Sequence, residues 1–346
     1  MIDFFTENAE FLLGRPVRSV INKQIECYFN NKCILVTGGG GTIGSELCRA
    51  VARCGAKKIV ILDINENNAH DVYESLSQTF PQVEAHIAIA SVREAEPMKA
   101  VFSRYKPDVV LHAAAHKHVL LMEADPSEAV KNNILGTLNA ADAAEACGAS
   151  RFVLISTDKA VEPESVMGAT KRFCEYIISS RRDSKTVFSA VRFGNVLGSA
   201  GSVLPDFCRL INRGEVLKIT HPEVERYFMS VAEAAELVLA AATKYGEGVC
   251  VLDMGEPVRI VTLAKRLGEL LSRDVMFEYT SLGAGEKLAE HLCYETPQKT
   301  EPYIWREQQP EITRGEIALR VKKLTDVLGD DAAIKRVLHE VVDEYR

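Results

Sequence analysis

Lys32-Cys33-Ile34-Leu35-Val36-Thr37-Gly38-Gly39-Gly40-Gly41-Thr42-Ile43-Gly44 is the stretch on which the reading of this chain turns. A short apolar run that ends in glycines is the pattern of a buried parallel strand, and a helical pattern over Ser45–Cys54 follows it directly. Glycines at 38, 41 and 44 give G-x-x-G-x-x-G between strand and helix. Gly38 permits the tight turn, Gly41 lets the backbone approach a pyrophosphate, and Gly44 lets helix and strand pack closely. Free N–H groups and the macrodipole at the helix N-terminus favour the phosphates. A glycine motif alone is weak evidence, and the next strand strengthens it. Lys58-Ile59-Val60-Ile61-Leu62 ends in Asp63, whose carboxylate is placed to accept hydrogen bonds from an adenosine ribose and to repel a 2′-phosphate. Ile64-Asn65-Glu66 adds no basic residue to offset that repulsion, so NAD is expected rather than NADP.

The alternation continues outward from this unit. Helical patterns at about 66–78, 94–105 and 127–147 separate strands near Glu84–Ile89, Asp108–His112 and Phe152–Ile155, and Val187–Phe193 is a sixth strand. Strand and helix in turn predict an α/β fold built on a Rossmann-type, doubly wound parallel sheet. Residues 1–31 read as an N-terminal leader and 32–195 as the NAD-binding domain. Residues 196–346 read mainly as a smaller C-terminal α/β substrate lobe with terminal helices, some elements returning to the first domain. Within that lobe, Gly283-Ala284-Gly285-Glu286-Lys287 reads as a turn before an amphipathic helix.

Composition excludes several classes. The chain has 346 residues, 47% hydrophobic and 26% charged, enough for a sizeable core in one or two domains. Its net charge of −7 disfavours nonspecific binding to nucleic acid or an anionic membrane surface. Nine cysteines with no C-x-x-C pair read as reduced thiols, so a cytoplasmic location is expected. No run reaches the roughly 18 apolar residues of a membrane span, and Met1-Ile2-Asp3-Phe4-Phe5 lacks a signal peptide's basic region. The two histidines of His116-Lys117-His118 have no carboxylate or cysteine at a matching spacing, so no metal is expected.

In open α/β sheets, ligands sit beyond the carboxyl ends of the strands. At those ends Ala113-Ala114-Ala115 are small enough for a dinucleotide to lie close, His116 and Lys117 follow, and Ser91-Val92-Arg93 falls near an adenine. The fifth strand ends in Ser156-Thr157-Asp158-Lys159, which places an acid and an amine where a substrate waits. On the next helix Met167 and Lys171 share a face, four residues apart. A glycine- and serine-rich loop, Gly194 to Ser202, follows the sixth strand and suits a second ligand.

These residues resemble the extended short-chain dehydrogenase/reductases, through Thr37 and the three glycines, Asp63, Asn133, Lys171 and Asn195. The resemblance spans nearly the whole chain and narrows to the bacterial polysaccharide-biosynthesis nucleotide-sugar dehydratases, the UDP-N-acetylglucosamine 4,6-dehydratases. It is carried by Leu12-Leu13-Gly14-Arg15, Ala115–Val119, Ser156–Val161, Met167–Lys171, Val191–Gly198 and Arg226-Tyr227-Phe228-Met229. Many such relatives have an N-terminal membrane portion, and the resemblance here is to their catalytic part. It implies NAD held by Thr37, Gly38, Gly41, Thr42, Ile43 and Gly44, with Asp63, Ala113, Ala114, Ala115, Asn133 and Lys171. It implies a UDP-sugar held by His116, Lys117, Asn195 and Ser199, with Ser202, Val203, Arg226 and Glu286. It also implies a homodimer or higher homo-oligomer, built through the helices that hold Asn133 and Lys171.

Two departures stand out. The superfamily normally has Tyr-x-x-x-Lys, and here the tyrosine position is Met167, whose thioether carries no proton. Among the similar dehydratases this departure goes with retention of configuration at C5, whereas relatives that invert C5 keep the tyrosine. Relatives also have Arg-Pro-Gly-Glu-Lys where this chain has Gly283-Ala284-Gly285-Glu286-Lys287, so one phosphate contact is absent. The implied chemistry is oxidation at C4, elimination across C5–C6, and return of the hydride to C6. In it Asp158 protonates the C6 hydroxyl and Lys159 removes the C5 proton. Lys159 is expected neutral, its pKa lowered by burial and by Lys171. Thr157 hydrogen-bonds the C4 oxygen and Lys171 the nicotinamide ribose. The competing readings are a C5-inverting dehydratase, an epimerase on a related nucleotide sugar, and a non-catalytic NAD-binding regulator.

Overall fold

The computed structural model describes residues 2–244, 246–294, 298–301 and 303–346. At its centre β1 (Cys33–Thr37) pairs on one side with β2 (Lys58–Asp63), which pairs in turn with β3 (Glu84–Ile89). On its other side follow β4 (Val109–His112), β5 (Arg151–Ile155) and β6 (Val187–Arg192), all parallel. Gly248–Leu252 adds a further parallel strand, and Ile304–Glu307 and Gln298–Glu301 close a nine-stranded sheet antiparallel. The expected doubly wound sheet is therefore present, with an antiparallel edge. Its inner strands are mostly apolar because helices cover both faces, with His112, Ser189 and Arg192 as buried polar exceptions. The order of connections reverses between β1 and β4, which opens a crevice at their carboxyl ends.

The turn after β1 is forced by contact. Gly38 has φ +64°, and a Cβ there would lie 2.7 Å from the Ala114 nitrogen; one at Gly44 would lie 2.0 Å from the Gly38 carbonyl oxygen. Only glycine satisfies both conditions.

The chain crosses the boundary at 195/196 more than once. Helix Val231–Lys244 packs on helix Thr42–Arg53, and strand Gly248–Leu252 lies beside β6. The smaller lobe keeps helices Val203–Arg213 and Ile260–Leu271 with short strand pairs such as Leu217–Ile219 and Phe277–Tyr279. Its core holds Leu204, Phe207, Leu217, Leu263 and Leu267, and Phe5 and Leu12 complete it. The segment read as a leader is thus built into the fold. Arg15 fastens it, its Nη1 donating to Glu233 Oε1 at 2.6 Å, while Ile25 and Phe29 join the core under the sheet.

Three expectations are corrected here. The segment after Lys287 is irregular, not helical. Lys287 Nζ donates to the carbonyls of Val161 and Glu162 at 2.9 and 2.6 Å, and Tyr294 Oη donates to Ala160 O at 3.1 Å. These tertiary bonds draw the segment across the loop after β5, against its helical periodicity. The helix read as continuous over 127–147 contains a π-helical stretch, Val130–Leu135, which holds Asn133. Finally, helix Val166–Ser179, assigned to a partner copy's interface, is buried along its whole length within one chain. Ile317 and Leu324 of helix Arg314–Thr325, and Ile334 and Leu338 of helix Asp331–Val341, cover its Phe173 and Ile177. No helix among the described residues is long and apolar enough to cross a membrane.

Candidate active site

β5 leads straight into the site. Its sheet pairing carries on past its last residue, with Ser156 N donating to Val191 O at 2.7 Å and Asp158 N to Phe193 O at 3.0 Å. Thr157 then caps a single 3₁₀ turn, Asp158–Ala160, its hydroxyl accepting from Lys159 N and donating to Asp158 Oδ1 at 2.9 Å. Lys159 Nζ donates to the same Oδ1 at 3.0 Å and to Asn195 Oδ1 at 3.4 Å. Asp158 is fully buried, and its Oδ2 has no partner among the described residues. An orphan carboxylate oxygen beside a half-buried amine is a ready contact for a bound hydroxyl.

On the facing side of Lys159 lies a residue that sequence reasoning passed over. Glu290 Oε1 is 3.7 Å from Nζ, its side chain is 4% exposed, and its Oε2 is also unpartnered among the described residues. The reading of this segment as an amphipathic helix singled out no residue within it. The available signal was its place between Leu288 and Leu292, an acid inside an apolar frame. Between the two carboxylates the expectation for Lys159 reverses. Burial works against its charge, but Asp158 and Glu290 outweigh burial and hold its pKa above the ordinary lysine value. The cation that most opposes its charge is Arg226, not Lys171. Burial and the Asp158 charge push Glu290 upward.

Lys171 lies behind this turn, its Nζ donating to the Ile155 carbonyl at 2.6 Å, and burial lowers its pKa. Met167 is buried against Val166, Ala169 and Phe173. Asn133 clamps the loop after β4, Oδ1 accepting from His116 N at 2.8 Å and Nδ2 donating to Thr170 Oγ1 at 3.0 Å. Thr37 is buried too, its hydroxyl 2.7 Å from His112 Nδ1. Asn133 and Thr37 thus shape the site from behind.

Two clefts are lined by several of the residues expected to contact ligands. The first, about 310 Å³, is lined by Gly38, Gly41, Asp63, Ser91–Arg93, Ala113–Ala115 and His116. His116, read as a substrate contact, falls here, with Nε2 2.9 Å from Arg93 Nη2. Asp63 holds the turn, Oδ2 accepting from Gly40 N and Oδ1 from Asn65 N, both at 2.9 Å, with lone pairs left for ribose hydroxyls. A Cβ at Gly41 would approach only the Gly38 oxygen, at 3.2 Å, so protein packing does not demand glycine there. Open space over a helix N-terminus, with a carboxylate at the far end, fits a dinucleotide.

The second cleft, about 200 Å³, gathers Asn195, Val203, Arg226 and Glu286, with Lys218 and Thr220 in addition. Arg226 is anchored, donating to the carbonyls of Glu225 and Lys287 at 2.7 Å and to Leu288 O at 3.1 Å. Glu286 Oε1 accepts from Thr220 at 3.0 Å. Ser199 and Ser202 lie in the loop between the clefts; Ser202 Oγ is buried without a partner among the described residues. That loop bridges the halves, since Lys117 Nζ donates to Ala200 O at 2.6 Å and Ala200 N to Thr42 Oγ1 at 3.1 Å.

A sheet ordered β3-β2-β1-β4-β5-β6, with an acidic residue closing β2 and an acid–amine pair beyond β5, gives the chain the Rossmann-type fold of the short-chain dehydrogenase/reductases. Residues 34–306 match the model of the family described as polysaccharide biosynthesis protein, and the chain belongs to that family. It is 49% identical over 290 residues to the probable polysaccharide biosynthesis protein EpsC of Bacillus subtilis, covering 82% of this chain and 48% of that one. It is 45% identical over 337 residues to the capsular polysaccharide biosynthesis protein CapD of Staphylococcus aureus, covering 94% and 56%. The chain thus spans about half the length of these two relatives. The UDP-N-acetylglucosamine 4,6-dehydratase (inverting) of Campylobacter jejuni is 32% identical over 281 residues, 77% of this chain and 81% of that one. Among solved structures, Pen from Bacillus thuringiensis matches with a TM-score of 0.74 at 29% identity, over 83% of this chain and 92% of that one.

Proposed function

We propose that this chain catalyses the NAD-dependent 4,6-dehydration of UDP-N-acetylglucosamine to the 4-keto-6-deoxy sugar with C5 configuration retained, for bacterial glycan or modified-sugar biosynthesis. The observation that carries the reading is a buried thioether one turn before Lys171, combined with Asp158 and Lys159 in hydrogen-bond contact at the tip of β5. Moving a hydride at C4 alone needs one proton-transfer group. Eliminating water across C5–C6 needs an acid and a base side by side. The inverting dehydratase at 32% identity supports the reaction class, and Met167 supports the retaining outcome.

Bound NAD would supply the hydride acceptor at C4 and the donor at C6. The chain's own residues do the rest. Thr157 orients Asp158 through Oδ1, which leaves Oδ2 to deliver a proton to the C6 hydroxyl. Lys159 Nζ takes the C5 proton and returns a proton to the same face. Lys171, its pKa lowered by burial and its Nζ fixed on the Ile155 carbonyl, holds a donor beside the ribose. Asn195, Arg226 and Lys218 face the sugar nucleotide, and Lys218 offers a charge for the missing family arginine.

Incubation of the purified protein with UDP-N-acetylglucosamine in D2O tests this. A C6 methyl and one deuterium at C5, with the starting configuration there, is the expected NMR spectrum. Inverted C5 would assign the inverting reaction, a C4 epimer without a methyl would assign an epimerase, and bound NAD without turnover would favour a regulator.

Asp63→Ala tests the cofactor reading separately. A carboxylate hydrogen bond of this kind contributes about 1.5–3 kcal/mol, so NAD affinity should fall roughly ten- to a hundredfold. NADP affinity should fall less, because a repulsive charge leaves at the same time. Isothermal titration with both dinucleotides reads the two changes.

A further inference from the structure

Residues 198–202 cross the crevice between β1 and β4. On the β1 side, Ala200 N donates to Thr42 Oγ1 at 3.1 Å, and Thr42 directly follows Gly41, which lines the first cleft. On the β4 side, Lys117 Nζ donates to Ala200 O at 2.6 Å, and Lys117 directly follows His116, which lines the same cleft. One residue thus bridges both walls of the crevice with its own N–H and C=O. That carbonyl is the one fixed acceptor of Lys117 among the described residues, and no carboxylate there pairs with it. Both bonds face solvent, where they can open without unpacking a core. Otherwise the segment is held by local turns, Ser199 N donating to Val196 O at 3.4 Å and Ser202 N to Ser199 O at 3.0 Å. Gly198 and Gly201, at φ +67° and +66°, flank the bridge and are the positions best able to absorb a change of backbone angle.

We propose that the Gly198–Ser202 segment is a latch across the bound dinucleotide, fastened at Ala200 by Lys117 on one side and by Thr42 on the other. The dinucleotide enters and leaves when these two pins break. A cofactor that takes a hydride from C4 and returns it to C6 is unchanged after each turnover, so the reaction does not need it to leave. The latch also joins the two clefts, because it runs into helix Val203–Arg213, whose Val203 and Phe207 line the second. A ligand there holds the segment down and slows exchange further. This link and the purpose of retention rest on the dehydratase reading, whereas the latch itself rests on the NAD site.

Stopped-flow fluorescence of NADH binding, and of its displacement by excess NAD, reads exchange in both directions. Ala200→Pro removes the N–H given to Thr42 and leaves the side chains of Thr42 and Lys117 in place, while Lys117→Met removes the other pin. Both pins join protein atoms to protein atoms, so they gate entry and exit alike. Association and release should therefore rise together, roughly threefold in Ala200→Pro and roughly tenfold in Lys117→Met, as for a neutral and a charge-assisted hydrogen bond, while Kd holds within about twofold. Lys117→Arg should stay near the parent. UDP should slow both rates in the parent and far less in Lys117→Met. Faster release with unchanged association, so that Kd rises in step, would make Lys117 a direct ligand contact and overturn the latch. Parent-like rates in both variants would overturn it as well. Raised rates in the variants with no response to UDP would keep the latch and count against the nucleotide-sugar reading of the second cleft. A parent protein that binds no NADH would reject the cofactor reading and the latch together. Should Ala200→Pro fail to fold, the constancy of Kd in Lys117→Met decides the same question.

Discussion

Asp158→Asn is expected to lower product formation by roughly 10²–10⁴-fold, the usual contribution of a positioned general acid, with little change in melting temperature. The amide keeps the shape of the carboxyl, and its oxygen can still accept from Thr157 Oγ1 and Lys159 Nζ. What it loses is the proton carried by a group that is fully buried, where water cannot substitute. The defect should therefore fall on departure of the C6 oxygen and not on C5. In D2O the variant should wash deuterium into C5 of unreacted substrate while forming almost no C6 methyl. NMR of recovered substrate and product separates the two events. A near-normal rate of methyl formation would remove Asp158 from the reaction and leave the β5 tip without an acid.

The outline of this site was legible in the sequence because its parts are local. β1, the glycines and Asp63 form one continuous supersecondary unit, and the periodicity that built β5 also said where Thr157, Asp158 and Lys159 would emerge. What was not legible depends on residues distant in sequence. The charge on Lys159 is held by Asp158 together with Glu290, the latter brought in by a segment whose local pattern is helical and whose actual path follows Lys287 and Tyr294. The docking of Phe5 and Leu12 into the smaller lobe is of the same kind, since short amphipathic helices do not announce their partner. The burial of helix Val166–Ser179 had a visible sign in its apolar periodicity, but nothing local distinguished a second copy from the chain's own C-terminus as its cover. The same helix also carries a charge cluster that only the assembled structure reveals.

Glu175→Gln is expected to destabilise the protein by about 3–5 kcal/mol, the cost of breaking a buried ion pair from one side. Glu175 is wholly buried, and its Oε2 accepts from Arg192 Nη2 at 2.7 Å and from Arg172 Nη1 at 3.0 Å. Its Oε1 accepts from Ser156 Oγ at 2.6 Å. Burial alone would raise this carboxyl, but Arg192 and Arg172 overcome it and hold the pKa at about 2. A folded pKa below the unfolded one contributes stability above the unfolded value, and that contribution is lost as pH falls through the folded value. The parent protein should therefore lose stability steeply between about pH 4.5 and about pH 2, and Glu175→Gln should show a shallower dependence there. Urea unfolding at pH 7 and at about pH 3 measures both effects. The cluster also bears on the chemistry, because Ser156 immediately precedes the acid–amine turn and Glu175 lies one helical turn beyond Lys171. Below the variant's melting range, turnover should fall while substrate affinity holds, since the β5 tip loses its anchor and the two clefts do not. A variant with parent-like unfolding in urea would mean that Glu307 and Glu344, the other partners of Arg192 and Arg172, suffice to neutralise them.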